Sequence, residues 1–338
     1  MKPKLSICIP TYNRSLYLAE CLNSIFQSMV GYESYIEIII SDNASTDNTK
    51  QVLDAILIAY PWIQYYRHET NIGAERNFYH LLTLARGDYV WILGDDDKIE
   101  VGAIKKIMPH LQFQNSLIIC NYSVWGKSFS YQKRKKSYLN SDYIFDDPNR
   151  LLKCFNIQLG YISSIIVKTS LFKQLSYTEY EKYVDYGHSF LYSVYVIASN
   201  KNYTVSYLSP PIICNRSGNS NNYDWYKVMV AGTTHVFEAL SKYGYSSQAI
   251  SIAKKKILKD IVIPQFFYMK LDANYDIKFV YKFCKSYYAS YWRFWLMGIP
   301  ILFMPAFIVK GCKKIIMLKR HLKKIWEKRE VSRFMESS

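Results

Sequence analysis

The sequence has no CxxC pair, no Cys–His ligand spacing, no internal repeat and no low-complexity linker. Its seven cysteines, at 8, 21, 120, 154, 214, 284 and 312, are scattered and odd in number. That argues against a disulfide framework and a structural zinc site, and for a reducing cytosol in which each cysteine is a small buried apolar residue. Met1-Lys2-Pro3-Lys4 runs into an apolar stretch, Leu5–Ile9, too short for an export signal. Acidic residues are scarce: 27 Asp and Glu stand against 43 Lys and Arg, a net charge of +16 over 338 residues. The excess implies an anionic partner, which nucleic acid, acidic lipid and phosphorylated small molecules all satisfy until the charge is located.

Core-forming side chains are plentiful. Half of the residues are hydrophobic and 32 are Tyr, which excludes a disordered chain. The first 120 residues alternate strand-like and helix-like patterns, the sign of an α/β, mainly parallel sheet flanked by helices. Strands are predicted at Leu5–Ile9, Ile36–Ser41, Ile63–Arg67, Tyr89–Leu93 and Leu117–Asn121, with helices at about 15–28, 46–59, 74–85 and 101–110. The second helix should end at Tyr60-Pro61, because the residue before proline avoids the helical region. Further on, strands are expected at Ile162–Lys168 and near Tyr203–Leu208, a helix near Asp185–Ser199, and helices at Gln248–Leu258 and Ile277–Tyr288.

In such sheets ligands bind beyond the carboxyl ends of the strands. The polar clusters there are Thr11-Tyr12-Asn13-Arg14, Asp42-Asn43, Asn71-Ile72-Gly73 and Asp95-Asp96-Asp97, and all four should face one cleft. Adjacent carboxylates repel unless solvated or shared with a cation, and a strand-end acidic group suits a hard divalent ion that also meets substrate phosphates. A solvated turn is the plainer alternative. Ser45, Thr46 and Asp47 read as helix caps, and Gly73 as a tight-turn residue.

These motifs, with Arg76-Asn77 and Ala85-Arg86-Gly87-Asp88-Tyr89, stand in an order and spacing that resembles the family 2 inverting glycosyltransferases of GT-A fold, a Rossmann-like sheet. Within that family the pattern looks most like the bacterial O-antigen sugar transferases of abequosyltransferase type. The resemblance covers roughly residues 4–220 and thins after 122. It implies that Pro10, Thr11, Tyr12, Asn13, Arg14, Asp42 and Asn43 hold the nucleotide of a nucleoside-diphosphate sugar, Asp42 accepting from the base. Arg76 would lie near the sugar or diphosphate, Asp95 near the donor, and Asp96 supported by Asp97 would hold Mg²⁺ or Mn²⁺. The sequence departs from the family's Asp-x-Asp-Asp by Gly94 in the first acidic place.

Inverting transfer needs a base for the acceptor hydroxyl. The family places an acid at a helix start downstream, which points to Asp185 in Tyr183-Val184-Asp185-Tyr186-Gly187-His188, although Val184 replaces the usual Glu; Glu181 is the fallback. A first-turn acid that merely favours the helix dipole is the alternative. His188 reads as a structural residue or a ligand, and Arg216 in the polar stretch Asn215–Ser220 as a diphosphate clamp or a surface-loop residue.

The predicted divisions are a catalytic domain over 1–220 (1–121 for the nucleotide, 122–220 for the acceptor), a helical extension over 221–290 and a membrane-associating segment over 291–338. Phe294–Val309 carries no charge but holds Gly298, Pro300 and Pro305. A helix of that length would rise about 24 Å, short of the roughly 30 Å hydrocarbon core, so it is read as interfacial or re-entrant. Lys310–Arg333 adds ten basic and two acidic residues at amphipathic spacing. Residues 310–338 thus hold +7 of the net charge. The expectation is a cytoplasmic enzyme peripheral to the inner face of the cell membrane, using a polyprenyl-diphosphate-linked oligosaccharide as acceptor and no nucleic acid. A nucleotidyltransferase, a basic nucleic-acid-binding protein and an inactive scaffolding relative are the other readings.

Overall fold

Every residue of Leu5–Thr11 (β1) and Ile36–Asp42 (β2) is buried, the pattern of parallel strands covered on both faces. The structure is a computed structural model and describes residues 2–112, 114–135, 138–218, 224–269, 276–309 and 311. β1 pairs in parallel with β2, from Leu5 opposite Ile36 to Thr11 opposite Asp42. Gln64–Arg67 (β3) extends the sheet beyond β2, and Tyr89–Ile92 (β4) lies parallel on the other side of β1. The carboxyl ends of these strands therefore open on one edge. Lys98–Ile99 (β5), Asn115–Trp125 (β6), Gln132–Lys135 (β7), Tyr143–Phe145 (β8), Ile165–Lys168 (β9) and Thr204–Arg216 (β10) complete the sheet. Its order is β3-β2-β1-β4-β9-β6-β10-β5, with β7 on β6 and β8 on β10.

Two features were not read from the sequence. β9 runs antiparallel between β4 and β6, within a sheet whose β3-β2-β1-β4 and β6-β10 pairings are parallel as expected. The buried run Ile165-Ile166-Val167 specifies a central strand, but burial carries no direction. Pro210-Pro211 lies inside β10, with register shifts on both sides of Pro211. A bulge there absorbs the missing proline donors, and Asn121 Nδ2 donates to the Ser209 carbonyl at 2.6 Å. Asn215 and Arg216 consequently sit on a strand; Asn219 and Ser220 lie outside the described residues.

Helices flank the sheet. Ser15–Ser28 (α1) buries Leu18, Cys21, Leu22 and Ile25, the three-and-four spacing of one apolar face. Thr49–Ala59 (α2) stops before Tyr60-Pro61, as the proline requires. Ala74–Leu84 (α3) follows Gly73, whose φ of +84° only glycine adopts cheaply. Ala103–Ile107 (α4), Pro148–Phe155 (α5), Thr169–Lys173 (α6) and Tyr177–Glu181 (α7) are short, and Ser189–Ala198 (α8) is buried along its whole length. Thr233–Ala239 (α9) packs on α8, with the Tyr195 and Phe237 rings edge to face at 6.1 Å. Cys8, Cys21, Cys120, Cys214 and Cys284 are buried.

The chain divides into compact units at Met1–Ala253 and Lys254–Ser338. The boundary falls within Ser247–Ile257 (α10), inside the expected 221–290 extension, so residues up to 253 belong with the sheet. The second unit holds Ile263–Met269 (α11), Ile277–Tyr288 (α12), a π-helical turn at Phe294–Gly298 and Ile299–Phe303 (α13). A β-carbon on Gly298 would lie 3.3 Å from the Phe266 ring, so the turn packs closely on α11. Among the described residues no helix is long and apolar enough to cross a membrane. Most of the predicted basic helix after Lys310 lies outside the described residues.

Candidate active site

The Asn43 amide donates to the Thr11 carbonyl at 2.9 Å, and Leu93 N to the Cys8 carbonyl at 2.9 Å, which aligns the ends of β1, β2 and β4. Between them lies a cleft of about 190 Å³, lined by Pro10, Thr11, Tyr12, Arg14, Asn43, Asp95 and Asp96, and by Ala74, Asn77 and Phe78 of α3. A second cleft of about 330 Å³ is lined by Asp96, Asp97, Tyr161, Ser163, Asn215, Arg216, Ser217 and Gly218. Gly94, Asp96 and Ile162 line both. Asp96 therefore stands at the junction.

The three adjacent carboxylates are held differently. Asp95 accepts from Thr11 Oγ1 at 2.7 Å and Arg14 Nη1 at 2.9 Å, and burial pushes its carboxyl up to about 6 against the pull of Arg14. Asp97 takes four donors. Tyr161 Oη at 2.5 Å and Ser163 Oγ at 2.7 Å reach one oxygen, and Arg216 N at 3.0 Å and Asn215 Nδ2 at 3.2 Å the other. Burial, reinforced by the charge of Asp96, raises its carboxyl to about 7. This saturation corrects the expectation that Asp97 supports a metal directly, since both oxygens are spent on the protein. Asp96 is half-buried, its Oδ2 3.1 Å from Arg14 Nη1. Among the described residues no cluster of three His, Cys, Asp or Glu forms a metal cage. The donor set fits a hard cation that takes one carboxylate here and its remaining ligands from substrate oxygens and water.

Gly94 also finds a reason. A β-carbon there would lie 3.2 Å from both Asp96 Oδ1 and Ser163 Oγ, so the space for a side chain is already filled by the loop's own polar groups.

Other expected ligands sit elsewhere. Asp42 is fully buried, accepting from Ser45 N at 2.8 Å and Tyr65 Oη at 3.1 Å and pairing with Arg67 at 3.3 Å, and it lines neither cleft. The Asn13 side chain accepts from Thr46 N at 2.7 Å, pinning the loop before α2. Asp47, one of the three expected caps, accepts from Thr49 N at 3.0 Å. Ser45 instead accepts from Asn13 N, at 2.9 Å. Arg76, expected beside the diphosphate, pairs with Glu181 at 2.6 Å, which also engages the fallback base.

Arg216 is not a free clamp. Its Nε donates to the Asp96 carbonyl at 2.9 Å, Nη1 to the Lys127 carbonyl and Nη2 to Glu20 at 2.5 Å. The guanidinium lies 4.2 Å from the centroids of both Tyr17 and Phe129. It is a strut under the acidic loop.

Asp185 is exposed on a 3₁₀ turn, Val184–Tyr186, and α8 begins only at Ser189. The acid at the start of α8 comes instead from α3: Glu75 accepts from Phe190 N at 3.2 Å and Tyr180 Oη at 3.3 Å. Burial raises its carboxyl to about 7. Sequence reasoning missed Glu75, whose only signal was an acid in the first turn of a helix bordering the cleft. His188 is buried, its Nδ1–H donating to the Gly187 carbonyl at 2.8 Å; burial lowers its pKa to about 4, so it is a neutral packing residue.

Residues 6–195 match the sequence profile described as Glycosyl transferase family 2. The chain belongs to this family. It is 32% identical over 228 residues to abequosyltransferase RfbV of Salmonella typhimurium, covering 64% of this chain and 68% of that one. It is 34% identical over 107 residues, 31% and 32% of the two chains, to the GalNAc(5)-diNAcBac-PP-undecaprenol beta-1,3-glucosyltransferase of Campylobacter jejuni. S. aureus TarS 1-349 superposes with a TM-score of 0.61 at 16% identity, over 84% of this chain and 81% of that one. The mannosyltransferase PcManGT of Pyrobaculum calidifontis, in complex with GDP-Man and Mn²⁺, gives 0.52 at 13% identity over 93% and 88%. These structures share the GT-A fold with this chain.

Proposed function

We propose that the protein transfers a sugar, with inversion, from a nucleoside-diphosphate donor to a saccharide carried on a polyprenyl diphosphate, in O-antigen, lipopolysaccharide or capsule assembly. The observation that carries this is Asp96 at the junction of two adjoining clefts, one framed by β1, β2 and α3, the other by β10 and Tyr161. The 32% identity to an abequosyltransferase supports the donor class. The relative named for an undecaprenol-linked glycan supports the acceptor class. The work would take place at the inner face of the cytoplasmic membrane.

In this reading the first cleft receives the nucleotide. Tyr12, 43% exposed, offers a ring face to the base, beside Thr11 and Asn43, which line the cleft with their side chains held by Asp95, Asn71 and the Ile72 amide. Asp96 would hold Mg²⁺ or Mn²⁺, which when bound neutralises the departing diphosphate. Arg14, now against Asp95 and Asp96, is the cation nearest that charge and can turn toward the phosphates. Asp97 and Arg216 hold the loop so that Asp96 needs no rearrangement as charge develops. For the base, Glu75 is spent on α8 and Glu181 on Arg76, whereas Asp185 is exposed, although it lines neither cleft. In this reading Asp185 takes the acceptor proton.

The test is a panel of nucleoside-diphosphate sugars with Mg²⁺ or Mn²⁺ and a polyprenyl-diphosphate saccharide. Metal-dependent nucleoside diphosphate release with a glycosylated product is expected. Pyrophosphate release from a nucleoside triphosphate and a sugar phosphate would establish a nucleotidyltransferase instead.

A further inference from the structure

The second unit carries an apolar face that nothing in the described chain covers. Leu296 is 70% exposed, Phe307 74% and Phe303 54%, and Trp292, Trp295 and Met297 are also exposed. Single exposed apolar residues need no explanation, but a contiguous group of this size marks an interaction surface. Contacts join part of this group through α12. Phe303 meets Tyr281 of α12 at 5.7 Å, and Lys285 Nζ lies 5.5 Å from the Tyr281 ring and 5.8 Å from the Trp295 ring.

The rim has one sign. Lys278, Lys282 and Lys285 are exposed at helical spacing along α12, and Arg293 lies over the Trp292 ring at 4.9 Å. From Ile277 to Trp326 the sequence contains no Asp or Glu. Fifty residues free of carboxylate beside exposed Trp, Phe and Leu would repel a basic partner and attract an anionic, apolar one.

We infer that the face formed by α12, the Phe294–Gly298 turn, α13 and Phe307 is an in-plane docking surface for an anionic phospholipid bilayer. Trp and Phe side chains enter the headgroup boundary, and the lysines meet lipid phosphates. No described helix is long and apolar enough to span, and the helical run from Trp292 ends where Met304 turns to extended backbone before Pro305, which leaves pieces short enough to lie along an interface. The surface takes in the first part of the 291–338 segment that the sequence reads as membrane-associating and adds to it the lysines of α12. Its purpose rests on the membrane-borne acceptor proposed above.

The test uses the full chain with vesicles of phosphatidylglycerol and phosphatidylcholine, against vesicles of phosphatidylcholine alone. The parent protein should float with the anionic vesicles, bind the neutral ones at least tenfold more weakly, and detach as salt rises. Leu296→Glu with Phe307→Glu, both surface changes, should lower binding at least tenfold while the thermal unfolding profile stays that of the parent. In the unmodified chain, brominated lipid should quench tryptophan emission, and Trp292→Phe with Trp295→Phe should remove most of that quenching. Binding undiminished by the two glutamates, quenching that persists without these tryptophans, or a parent protein indifferent to anionic vesicles because its own residues 310–338 cover the face, would each overturn the inference. Nucleoside diphosphate release measured without vesicles separates the two proposals. A face variant that releases it normally has lost only docking, and a parent that binds vesicles but releases none retains the surface and loses the proposed transfer.

Discussion

Replacing Arg216 with Met removes the strut beneath Asp96 while keeping a side chain of similar reach. The guanidinium donates to the Asp96 and Lys127 carbonyls, and a hydrogen bond from a charged group contributes about 1.5–3 kcal/mol net. Its position between Tyr17 and Phe129 adds about 1 kcal/mol. The pair with Glu20 counts for less, because Glu20 is 45% exposed and solvent screens it. The cost to stability should come to about 4–7 kcal/mol, lessened where Met recovers packing. The larger effect belongs to chemistry. Freeing the Asp96 carbonyl lets the loop shift, and a displacement of about 1 Å at a reacting centre can cost on the order of 10²-fold in rate. Arg216→Lys should fall between, since it keeps the charge and loses the planar fork. Denaturant midpoints with initial rates over a range of Mn²⁺ concentrations would measure both. An Arg216→Met protein with the parent's rate and metal requirement would refute the idea that this residue sets the acidic loop.

Glu75 gives a pH dependence of definite sign. Its folded carboxyl, raised to about 7 from 4.5, disfavours the folded state once ionised. The penalty is absent below about 4.5 and fully present above about 7, amounting to about 3 kcal/mol at most. Glu75→Gln cannot ionise, so between pH 5 and pH 8 it should lose less stability than the parent in denaturant titrations; an identical loss would remove Glu75 as the cause. Asp185→Ala should lower kcat at least tenfold and leave the donor KM unchanged, and steady-state kinetics with full kcat would return the base to Glu75 or Glu181. Tyr161→Phe deletes the 2.5 Å donor to Asp97 and should cost about 1–2 kcal/mol by thermal unfolding; no change would mean that the other three donors suffice.

The parallel half of the fold was legible because its signals are local. Buried apolar runs mark β1, β2 and β4, α1 shows its stripe at 18, 21, 22 and 25, and Pro61 ends α2. Of the four polar clusters after the strands, Thr11, Tyr12, Arg14, Asn43, Asp95 and Asp96 line the first cleft, whereas Asp42 and Asn71-Ile72-Gly73 line neither. What escaped depends on partners far along the chain. Nothing near Arg216 announces Glu20, nothing near Asp97 announces Tyr161, and nothing near Arg76 announces Glu181. The resemblance implies ligand roles for Asp42 and Arg76, and Arg216 reads as a clamp or a loop residue; the structure engages each with protein groups. Asp185 reads as a helix start because the family resemblance places an acid there, ahead of an apolar run. Glu75 supplies that helix's acid from another element, which no local pattern encodes.

The most direct measurement is metal-dependent release of nucleoside diphosphate from a panel of sugar donors, for the unaltered protein beside Asp96→Ala. The account predicts release with one class of donor, dependent on Mg²⁺ or Mn²⁺, accompanied by transfer to a polyprenyl-diphosphate saccharide and abolished by the substitution. Transfer that survives Asp96→Ala undiminished, or no release from any nucleoside-diphosphate sugar when metal and acceptor are supplied, would contradict it.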